Sequence, residues 1–182
     1  MPEVPVDDPL RAVLAAGPVR LEPFGAAHIE PLRAACAQDP AIWDIYPYSM
    51  LGEHFDRAIA VRAATPGVTF AVHNAGEFAG TTMYLRPDPV NGTVEIGGTY
   101  LAPRVRGNGC NAAMKRLLID HAFANGYRRI EFRVDARNAR SRAAVLKLGA
   151  VHEGTLRADR VTWTGHCRDT CVYGLLREDW KS

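Results

Sequence analysis

The sequence lacks the features that mark membrane-spanning, disulfide-stabilised and nucleic-acid-binding proteins. No apolar run approaches the ~20 residues that a membrane-spanning helix needs, and no apolar stretch follows the acidic, proline-containing start as in a secretory signal. Only four cysteines are present, without the spacing of a disulfide framework or a zinc site. The net charge of +2 is too small for a nucleic-acid-binding surface. We therefore expect a cytoplasmic protein with free thiols, no metal, and neither nucleic acid nor membrane as a partner.

Repeats, low-complexity segments and linker-like stretches are also missing. The chain of 182 residues has the length of one compact domain with a substantial core. We therefore expect a single domain over residues 1–182.

Alternating and helical patterns predict an ordered succession of strands and helices. Turn-rich separators between three central strands indicate an antiparallel meander, and a βαβ-like step follows it. The aromatic segment 42–50 is interrupted by Pro47 and predicts an irregular passage. Strands are predicted over residues 18–24, 69–73, 78–85, 94–101, 129–134, 155–163 and 169–176, and helices over 26–36, 53–64, 108–125 and 141–148. The sequence therefore predicts an α+β fold with a mixed, mostly antiparallel sheet.

The segment 101–112 (LAPRVRGNGCNA) leads from a predicted strand into a predicted helix through a glycine-containing turn. Gly107 and Gly109 allow positive φ and a close approach of the backbone to a ligand. The amides of the first helical turn are unpaired and carry the positive end of the helix dipole. Arg104 and Arg106 add two cations that can hold phosphate oxygens. The segment therefore predicts a phosphate or pyrophosphate site.

Two other interpretations of this segment remain open. One is an ordinary strand-to-helix turn with solvated arginines. The other is a dinucleotide site, because Gly107, Gly109 and Ala112 fit G-x-G-x-x-G/A and Glu131 follows about 20 residues later. Against a dinucleotide site, Pro103 and two arginines separate the strand from the first glycine, and further βαβ repeats are missing.

The same segment resembles a known family. Residues 104–109 match the R/Q-x-x-G-x-G/A signature of the GCN5-related N-acetyltransferases (GNAT family), and residues 103–109 match its longer form, P-x-x-R-G-x-G. Asn138-x-x-Ser141 followed by Leu148-Gly149-Ala150 is similar to the family's N-x-x-A/S…K-L-G-F segment, with Ala150 replacing the usual aromatic residue. Similarity to the RimJ/RimL-like ribosomal-protein N-acetyltransferases is found in residues 121–123, 153–157 and 168–180. The resemblance covers nearly the whole chain, most closely from Gly97 onward.

The resemblance implies the GNAT acyl-CoA N-acyltransferase fold, whose central sheet is splayed, and acetyl-CoA as co-substrate. The glycine turn would hold the pyrophosphate, and the strand ending at Leu101 would pair with the pantetheine arm. Gly97 and Gly98 are consistent with a bulge in that strand. Asn138, which also suits a helix N-cap, would hold the arm from the other side. The residues implied in cofactor binding are Tyr100, Leu101, Arg104, Arg106, Gly107, Asn108, Gly109, Cys110, Asn111, Asn138 and Ser141.

The reaction that the resemblance implies is direct attack of a neutral amine on the thioester. Glu95 is the candidate base, and the alternative for this residue is an outward-facing strand carboxylate. A main-chain amide near residues 99–101 would stabilise the oxyanion. Many family members carry a tyrosine acid at the position of Val145, seven residues after Asn138. Ser141 is the candidate acid in its place, and Cys110 is expected to pack rather than to act as a nucleophile.

The acceptor is expected to be a protein or peptide N-terminal α-amine, as in the RimJ/RimL-like branch. Trp43, Tyr46, Tyr48 and Tyr84 are candidates to line its pocket, although aromatic residues equally suit a core. A small-molecule amine and a succinyl-CoA-type donor are the alternatives within the enzyme class. The missing tyrosine favours a further alternative, a non-catalytic acyl-CoA-binding protein. Relatives commonly form homodimers, so a homodimer is also compatible with the resemblance.

Overall fold

Eight strands form one mixed sheet in the computed structural model, which describes residues 8–181. Their order across the sheet is β1-β2-β3-β4-β5-β6-β8-β7, and every pair of neighbours is antiparallel except β5 and β6. The strands are β1 (Leu14–Ala16), β2 (Val19–Pro23), β3 (Gly67–Asn74), β4 (Glu77–Asp88), β5 (Thr93–Leu101), β6 (Arg129–Asp135), β7 (Val151–Val161) and β8 (Cys167–Leu176). The predicted α+β class and the mostly antiparallel sheet are confirmed.

Helices cover both faces of this sheet. The α-helices are α1 (Ile29–Ala37), α2 (His54–Ala64), α3 (Cys110–Ala124) and α4 (Ala139–Lys147). Buried residues of α1 and α2 form one apolar cluster with Trp43 and Tyr100. Buried residues of α3 and α4 belong to a second cluster on the other side of the sheet. We refer to these sides as the α1/α2 face and the α3/α4 face. None of the described helices combines the length and the apolar character that a membrane crossing requires.

The long helix α3 forms because apolar residues recur at helical spacing along it. Met114, Leu118 and Ala122 are fully buried against the sheet. The helix ends before Gly126, whose φ of +88° suits a glycine just after a helix. Lys115 lies on the same buried stripe, where only 7% of the residue is exposed. A charged side chain is therefore part of the face that α3 turns toward the sheet.

The sheet opens between β5 and β6. Their parallel pairing covers only residues 93–95 of β5 and 129–131 of β6. From Ile96 onward, the described structure pairs β5 with β4 alone. The two strands therefore diverge and leave a wedge-shaped gap between residues 96–101 and residues 132–135, which we call the wedge. The predicted central splay of the sheet is confirmed.

A bulge in β5 lies where the strands diverge. The register between β4 and β5 shifts so that Gly98 and Thr99 of β5 together oppose the single residue Thr82 of β4. Gly98 has a φ of +56°, and a Cβ atom at this position would lie 2.8 Å from the sulfur of Met83. The bulge expected from the two glycines is therefore present, and Gly98 is suited to it by both conformation and space.

Side chains from both faces hold this bulge in place. On the α1/α2 face, the Tyr46 hydroxyl donates to the Thr99 carbonyl oxygen at 2.7 Å. On the same face, the Arg62 guanidinium donates to the Gly98 carbonyl oxygen at 2.8 Å. On the α3/α4 face, the Lys115 ammonium donates to Thr99 Oγ1 at 2.8 Å. Three residues that are distant in the sequence therefore converge on two residues of β5.

The bulge can be tested with a pair of glycine substitutions at matched backbone angles. Gly98 and Gly17 have φ values of +56° and +54°, but no atom lies within 4 Å of a Cβ placed at Gly17. We expect Gly17→Ala to lower the free energy of unfolding by about 1–2 kcal/mol through backbone strain. Gly98→Ala should cost about 1–3 kcal/mol more, because its methyl group meets Met83. Urea unfolding measures the difference, and equal losses in the two variants would contradict the packed bulge.

Candidate active site

The glycine turn between β5 and α3 is open to solvent. Gly107 and Gly109 have φ values of +80° and +90°, and no atom lies within 4 Å of a Cβ placed at either residue. The Cys110 amide donates to Asn108 Oδ1 at 3.1 Å. Other amides of the turn and the first turn of α3 have no acceptor among the described residues, namely those of Gly107, Asn108, Gly109, Asn111 and Ala112. Exposed, unpaired donors at a helix N-terminus fit the pyrophosphate of coenzyme A.

The two arginines of the turn differ in their surroundings. Arg106 donates from Nε to the Leu101 carbonyl oxygen at 2.8 Å and forms an ion pair with Asp39. It therefore ties the end of β5 to the segment after α1. Arg104 is exposed and pairs at 2.9 Å with Glu77, which is also exposed. Arg104 also donates to the Phe78 carbonyl oxygen at 2.5 Å. Both contacts lie at the surface, where they are weak, so Arg104 can turn toward a phosphate more easily than the less exposed Arg106. Phosphate binding by either arginine stays a prediction.

The start of α4 borders a cavity of about 430 Å³. Asn138 caps the helix, since its Oδ1 accepts a hydrogen bond from the Ser141 amide at 3.0 Å. The predicted N-cap is therefore confirmed. Asn138, Ser141 and Tyr46 all line the cavity, together with residues of the 3-10 turn Pro40–Ile45. Tyr46 is a predicted acceptor residue, and Asn138 and Ser141 are predicted cofactor residues. The structure brings all three to the same cavity.

Glu95 is the last residue of β5 that pairs with β6. It lies on the α1/α2 face, because its neighbours Val94 and Ile96 are buried in the cluster on the α3/α4 face. It is only 9% exposed, and a Cβ placed at Gly97 would lie 2.8 Å from its Oε1. The carboxylate therefore extends along β5 toward the bulge. The alternative of an outward-facing carboxylate does not hold. Glu95 is not among the residues that line the cavity beside α4.

The charge of Glu95 is influenced by opposing effects. Burial raises the pKa of its carboxyl group, and the cations of Arg86 and Arg133 act against that rise. Arg86 forms an ion pair with Glu95 from a bulge in β4, where it has a φ of +46°. Residues held in such conformations often belong to functional sites. The environment therefore favours a carboxylate that takes up a proton more readily than usual.

Two of the four candidate acceptor residues are core residues, which corrects the sequence prediction. Tyr84 is fully buried on the α3/α4 face, and its hydroxyl donates to the Leu118 carbonyl oxygen at 2.5 Å. Trp43 is fully buried under the 3-10 turn, and its Nε1 donates to the Cys36 carbonyl oxygen at 3.3 Å. In both cases the ring fills the core and the polar atom has an internal partner.

The other two aromatic candidates lie closer to the site. Tyr46 lines the cavity and binds the bulge through its hydroxyl, as described above. The Tyr48 hydroxyl accepts a hydrogen bond from Arg62 at 2.9 Å. Their contact with an acceptor stays a prediction.

Two buried cations that the sequence prediction missed adjoin the site. Arg62 and Lys115 are each 7% exposed, and both contact the bulge. Burial lowers the pKa of the Lys115 ammonium to about 7, and the charge of Glu95 partly offsets that effect. The sequence did carry a signal for Lys115, because it precedes Leu118 and Ile119 by three and four residues on the apolar stripe of α3.

One group of potential metal ligands, Glu22, His28 and His73, comes together between β2, β3 and the start of α1. His28 Nδ1 accepts a hydrogen bond from the Gly25 amide at 2.9 Å, so its ring proton lies on Nε2. That nitrogen is 3.0 Å from Glu22 Oε1 and donates to it. The nitrogen that faces the group therefore carries a proton and has no free electron pair for a metal ion. These contacts connect β2 to the turn before α1.

Substitution of Asn138 separates helix capping from cofactor binding. We expect Asn138→Ala to lower the free energy of unfolding by about 1 kcal/mol, because the Ser141 amide loses its acceptor. Asn138→Asp keeps the acceptor, and its stability should stay close to that of the unchanged protein. The aspartate cannot donate to the pantetheine arm, so it should still weaken acetyl-CoA binding in calorimetry. Full affinity in the stable Asp variant would leave Asn138 with the capping role alone.

Comparison with known proteins agrees with this geometry. Residues 19–151 match the model of the acetyltransferase (GNAT) domain family. A probable acetyltransferase of the GNAT family from Chromobacterium violaceum ATCC 12472 is 31% identical over 94% of both chains, with a TM-score of 0.86. A GCN5-related N-acetyltransferase from Brucella melitensis is 28% identical over 93% of this chain and 80% of that chain, with a TM-score of 0.84. Mycobacterium smegmatis RimJ in complex with CoA-disulfide has the same fold, at 20% identity over 96% of this chain and 91% of that chain, with a TM-score of 0.80. The chain therefore belongs to the GNAT family of acetyltransferases, and acetyl-CoA is its co-substrate.

Proposed function

We propose that this acetyltransferase acts on the N-terminal α-amine of a protein or peptide, which attacks the thioester directly. The observation that carries the proposal is the position of Glu95. Its carboxylate lies on the α1/α2 face, reaches toward Gly97 and adjoins the bulge where the wedge opens. A base at this point is next to the strand edge along which the resemblance places the acyl donor.

Each part of the site then has a defined task. Acetyl-CoA, when bound, supplies a thioester carbonyl that an amine can attack. The unpaired amides of residues 107–109, 111 and 112 at the N-terminus of α3 hold the anionic end of the donor. Glu95 accepts the proton that the attacking amine loses, directly or through water. A main-chain amide of residues 99–101 stabilises the charge on the carbonyl oxygen. Ser141 and Asn138 orient the pantetheine arm from the cavity.

The choice of acceptor follows from amine basicity. An α-amine has a pKa near 7.7–8.0 and a lysine side chain one near 10.4, so at neutral pH the neutral fraction differs by roughly a few hundredfold. A single carboxylate with a raised pKa is a sufficient base for the α-amine. The free cysteines of the described residues are consistent with a reducing cytoplasm as its compartment.

A small-molecule amine is the second candidate acceptor. The cavity beside α4 has a volume of about 430 Å³ and is lined in part by Asp44, whose carboxylate could pair with an ammonium group. This volume is within the range of ordinary small-molecule sites.

Calorimetry on charge-reversal variants tests the cofactor site. We expect acetyl-CoA to bind, NADH not to match it, and Arg104→Glu to weaken acetyl-CoA binding by about 10- to 100-fold, the worth of a charged hydrogen bond. Arg57→Glu is the matched control, since Arg57 is exposed on α2, away from the turn. Equal affinities in both variants would remove Arg104 from the phosphate site. Absence of acetyl-CoA binding in the unchanged, folded protein would refute the proposal.

The role of Glu95 is tested by Glu95→Gln with Glu30→Gln as control, because Glu30 is an exposed carboxylate on α1. Loss of the base should lower kcat/KM by about 10²- to 10⁴-fold, while the control stays near the original value. The rate of the unchanged enzyme should rise with pH as the Glu95 carboxyl loses its proton. Because burial raises the pKa of this group, the rise should lie above the usual carboxyl range, and it should vanish in Glu95→Gln.

The acceptor is identified with paired peptides in the same assay. One peptide carries a free N-terminus, and the second carries a blocked N-terminus and a free lysine side chain. We expect acetylation of the first alone. Faster acetylation of a small amine would favour the second candidate, and binding of acetyl-CoA without turnover of any amine would indicate a non-catalytic binder.

A further inference from the structure

Lys115 places an ammonium group inside the wedge, and the proposed function gives it no task. Its Nζ lies 2.8 Å from Thr99 Oγ1 in the bulge of β5. The same atom lies 5.9 Å from the centre of the Phe132 ring, on β6. Both contacts lie beyond residues 95 and 131, where the pairing of the two strands ends. The ammonium therefore lies between the diverging strands on the α3/α4 face.

A purely structural role explains this residue poorly. Lys115 is 7% exposed, and no carboxylate among the described residues forms an ion pair with it. Burial of an ammonium without a counter-ion is costly. A methionine or leucine would fill the same stripe beside Leu118 and Ile119 without that cost. An uncompensated charge in a site of this kind indicates a functional group.

The charged groups around Lys115 are few. Glu95 acts on it from the opposite side of β5 and favours its protonated form. Phe132 is the residue of β6 that faces it, and the neighbouring charged residues Glu131 and Arg133 alternate onto the other face of that strand. The residues one turn away from it on α3 are uncharged: Asn111, Ala112, Leu118 and Ile119. Burial therefore dominates, and the ammonium can release its proton near neutral pH.

Acyl transfer also requires a proton donor for the leaving group, and the proposed function names no strong acid for this step. The thiolate of coenzyme A needs a proton as it leaves. At the position where many relatives carry a tyrosine acid, Val145 is apolar and 6% exposed. The hydroxyl of Ser141 is a weak acid in comparison with an ammonium group. Lys115 is the cation that the structure places in the wedge itself.

The geometry points to Lys115 as the residue that protonates the departing sulfur of coenzyme A, an inference that rests on the proposed acetyl transfer. The amine nitrogen forms a bond to the acyl carbon, the carbon–sulfur bond breaks, and its electron pair stays on sulfur. The Lys115 ammonium gives its proton to that sulfur, and Glu95 takes the proton that the amine loses. Coenzyme A leaves as the free thiol, and proton exchange with solvent restores both residues.

This assignment gives each face of the bulge one proton-transfer group. Glu95 lies on the α1/α2 face, where the proposed function requires the attacking amine, and Lys115 lies on the α3/α4 face. Thr99 connects the two faces, since its carbonyl oxygen binds Tyr46 and its hydroxyl binds Lys115. Their environments shift the pKa of the carboxyl group upward and that of the ammonium group downward, toward neutral pH from both sides.

Kinetics on substituted enzymes test the inference first. We expect Lys115→Met to lower kcat by about 10²- to 10⁴-fold with acetyl-CoA affinity retained. Arginine keeps the positive charge but does not release its proton, so the kcat of Lys115→Arg should be as low as that of Lys115→Met. Arg116→Met is the matched control, because it removes a cation from the neighbouring, exposed position of α3 and should keep the original rate. The kcat of the unchanged enzyme should fall as pH rises through the Lys115 pKa, since an acid must be protonated, and this fall should be absent in both Lys115 variants.

The second test needs no turnover. The thiol of bound coenzyme A is titrated through the ultraviolet absorbance of its thiolate in complexes with the unchanged protein, Lys115→Met and Lys115→Arg. A cation beside the sulfur should make the thiol ionise at lower pH in the Arg protein than in the Met protein. The unchanged protein should lie between them, because Lys115 loses its charge near neutral pH.

The outcomes distinguish a failure of the Lys115 inference from a failure of the proposed function. Equal thiol titrations in all three complexes would overturn the inference, as would an unchanged kcat in Lys115→Met even if its thiol titration moved. Failure of the unchanged protein to bind acetyl-CoA or to acetylate any amine would refute the proposed function instead.

Discussion

The bulge at Gly98 and Thr99 is the constraint on which the site depends. Without the bulge, β5 would continue to pair with β6 beyond the three paired residues, and the sheet would be continuous where the wedge now lies. The extra residue turns the strand and exposes two carbonyl groups that need hydrogen-bond donors. Arg62 and Tyr46 supply those donors from the α1/α2 face. The shape of the wedge is thus fixed by polar contacts rather than by the sheet alone.

The same bulge explains why charged groups are buried so near one another. A strand residue points to one face or the other, and the bulge changes that alternation within β5. Glu95 before the bulge lies on the α1/α2 face, whereas the Thr99 side chain after it faces Lys115. The strand therefore separates a buried carboxylate from a buried ammonium instead of letting them neutralise each other in an ion pair. Each keeps a perturbed proton affinity as a result.

Most of the fold could be predicted from the sequence because its strands alternate clearly and its turns contain glycine. Every predicted strand and helix has a counterpart, with ends displaced by a few residues. The strand β1 was missed because three residues are too few to show a pattern. On helix α3, Lys115 is buried together with Leu118 and Ile119. A charged residue on a helix is normally assigned to solvent, and this default outweighs the helical spacing that places Lys115 on the apolar stripe.

The site was less predictable than the fold. The glycine turn follows from local sequence, since positive φ and exposed amides are properties of the chain itself. The sequence could not show which face of the sheet Glu95 occupies, because a shift of one residue in strand register would move its side chain to the opposite face. The aromatic residues were ambiguous for another reason: whether Tyr84 fills the core or lines a pocket depends on elements far away in the sequence. Arg106 was read as a phosphate ligand from its motif, while its contacts with Asp39 and Leu101 are visible only in three dimensions.

The divergence of β5 and β6 also bears on the solubility of the protein. An unpaired strand edge is normally a template for association with other chains, and proteins protect such edges. Here the unpaired half of β5 lies in the middle of the sheet, with strands on both sides and helices over both faces. The surrounding elements therefore protect this edge from pairing with another chain. The enzyme thus keeps unpaired backbone groups of β5 within the sheet without exposing them to aggregation.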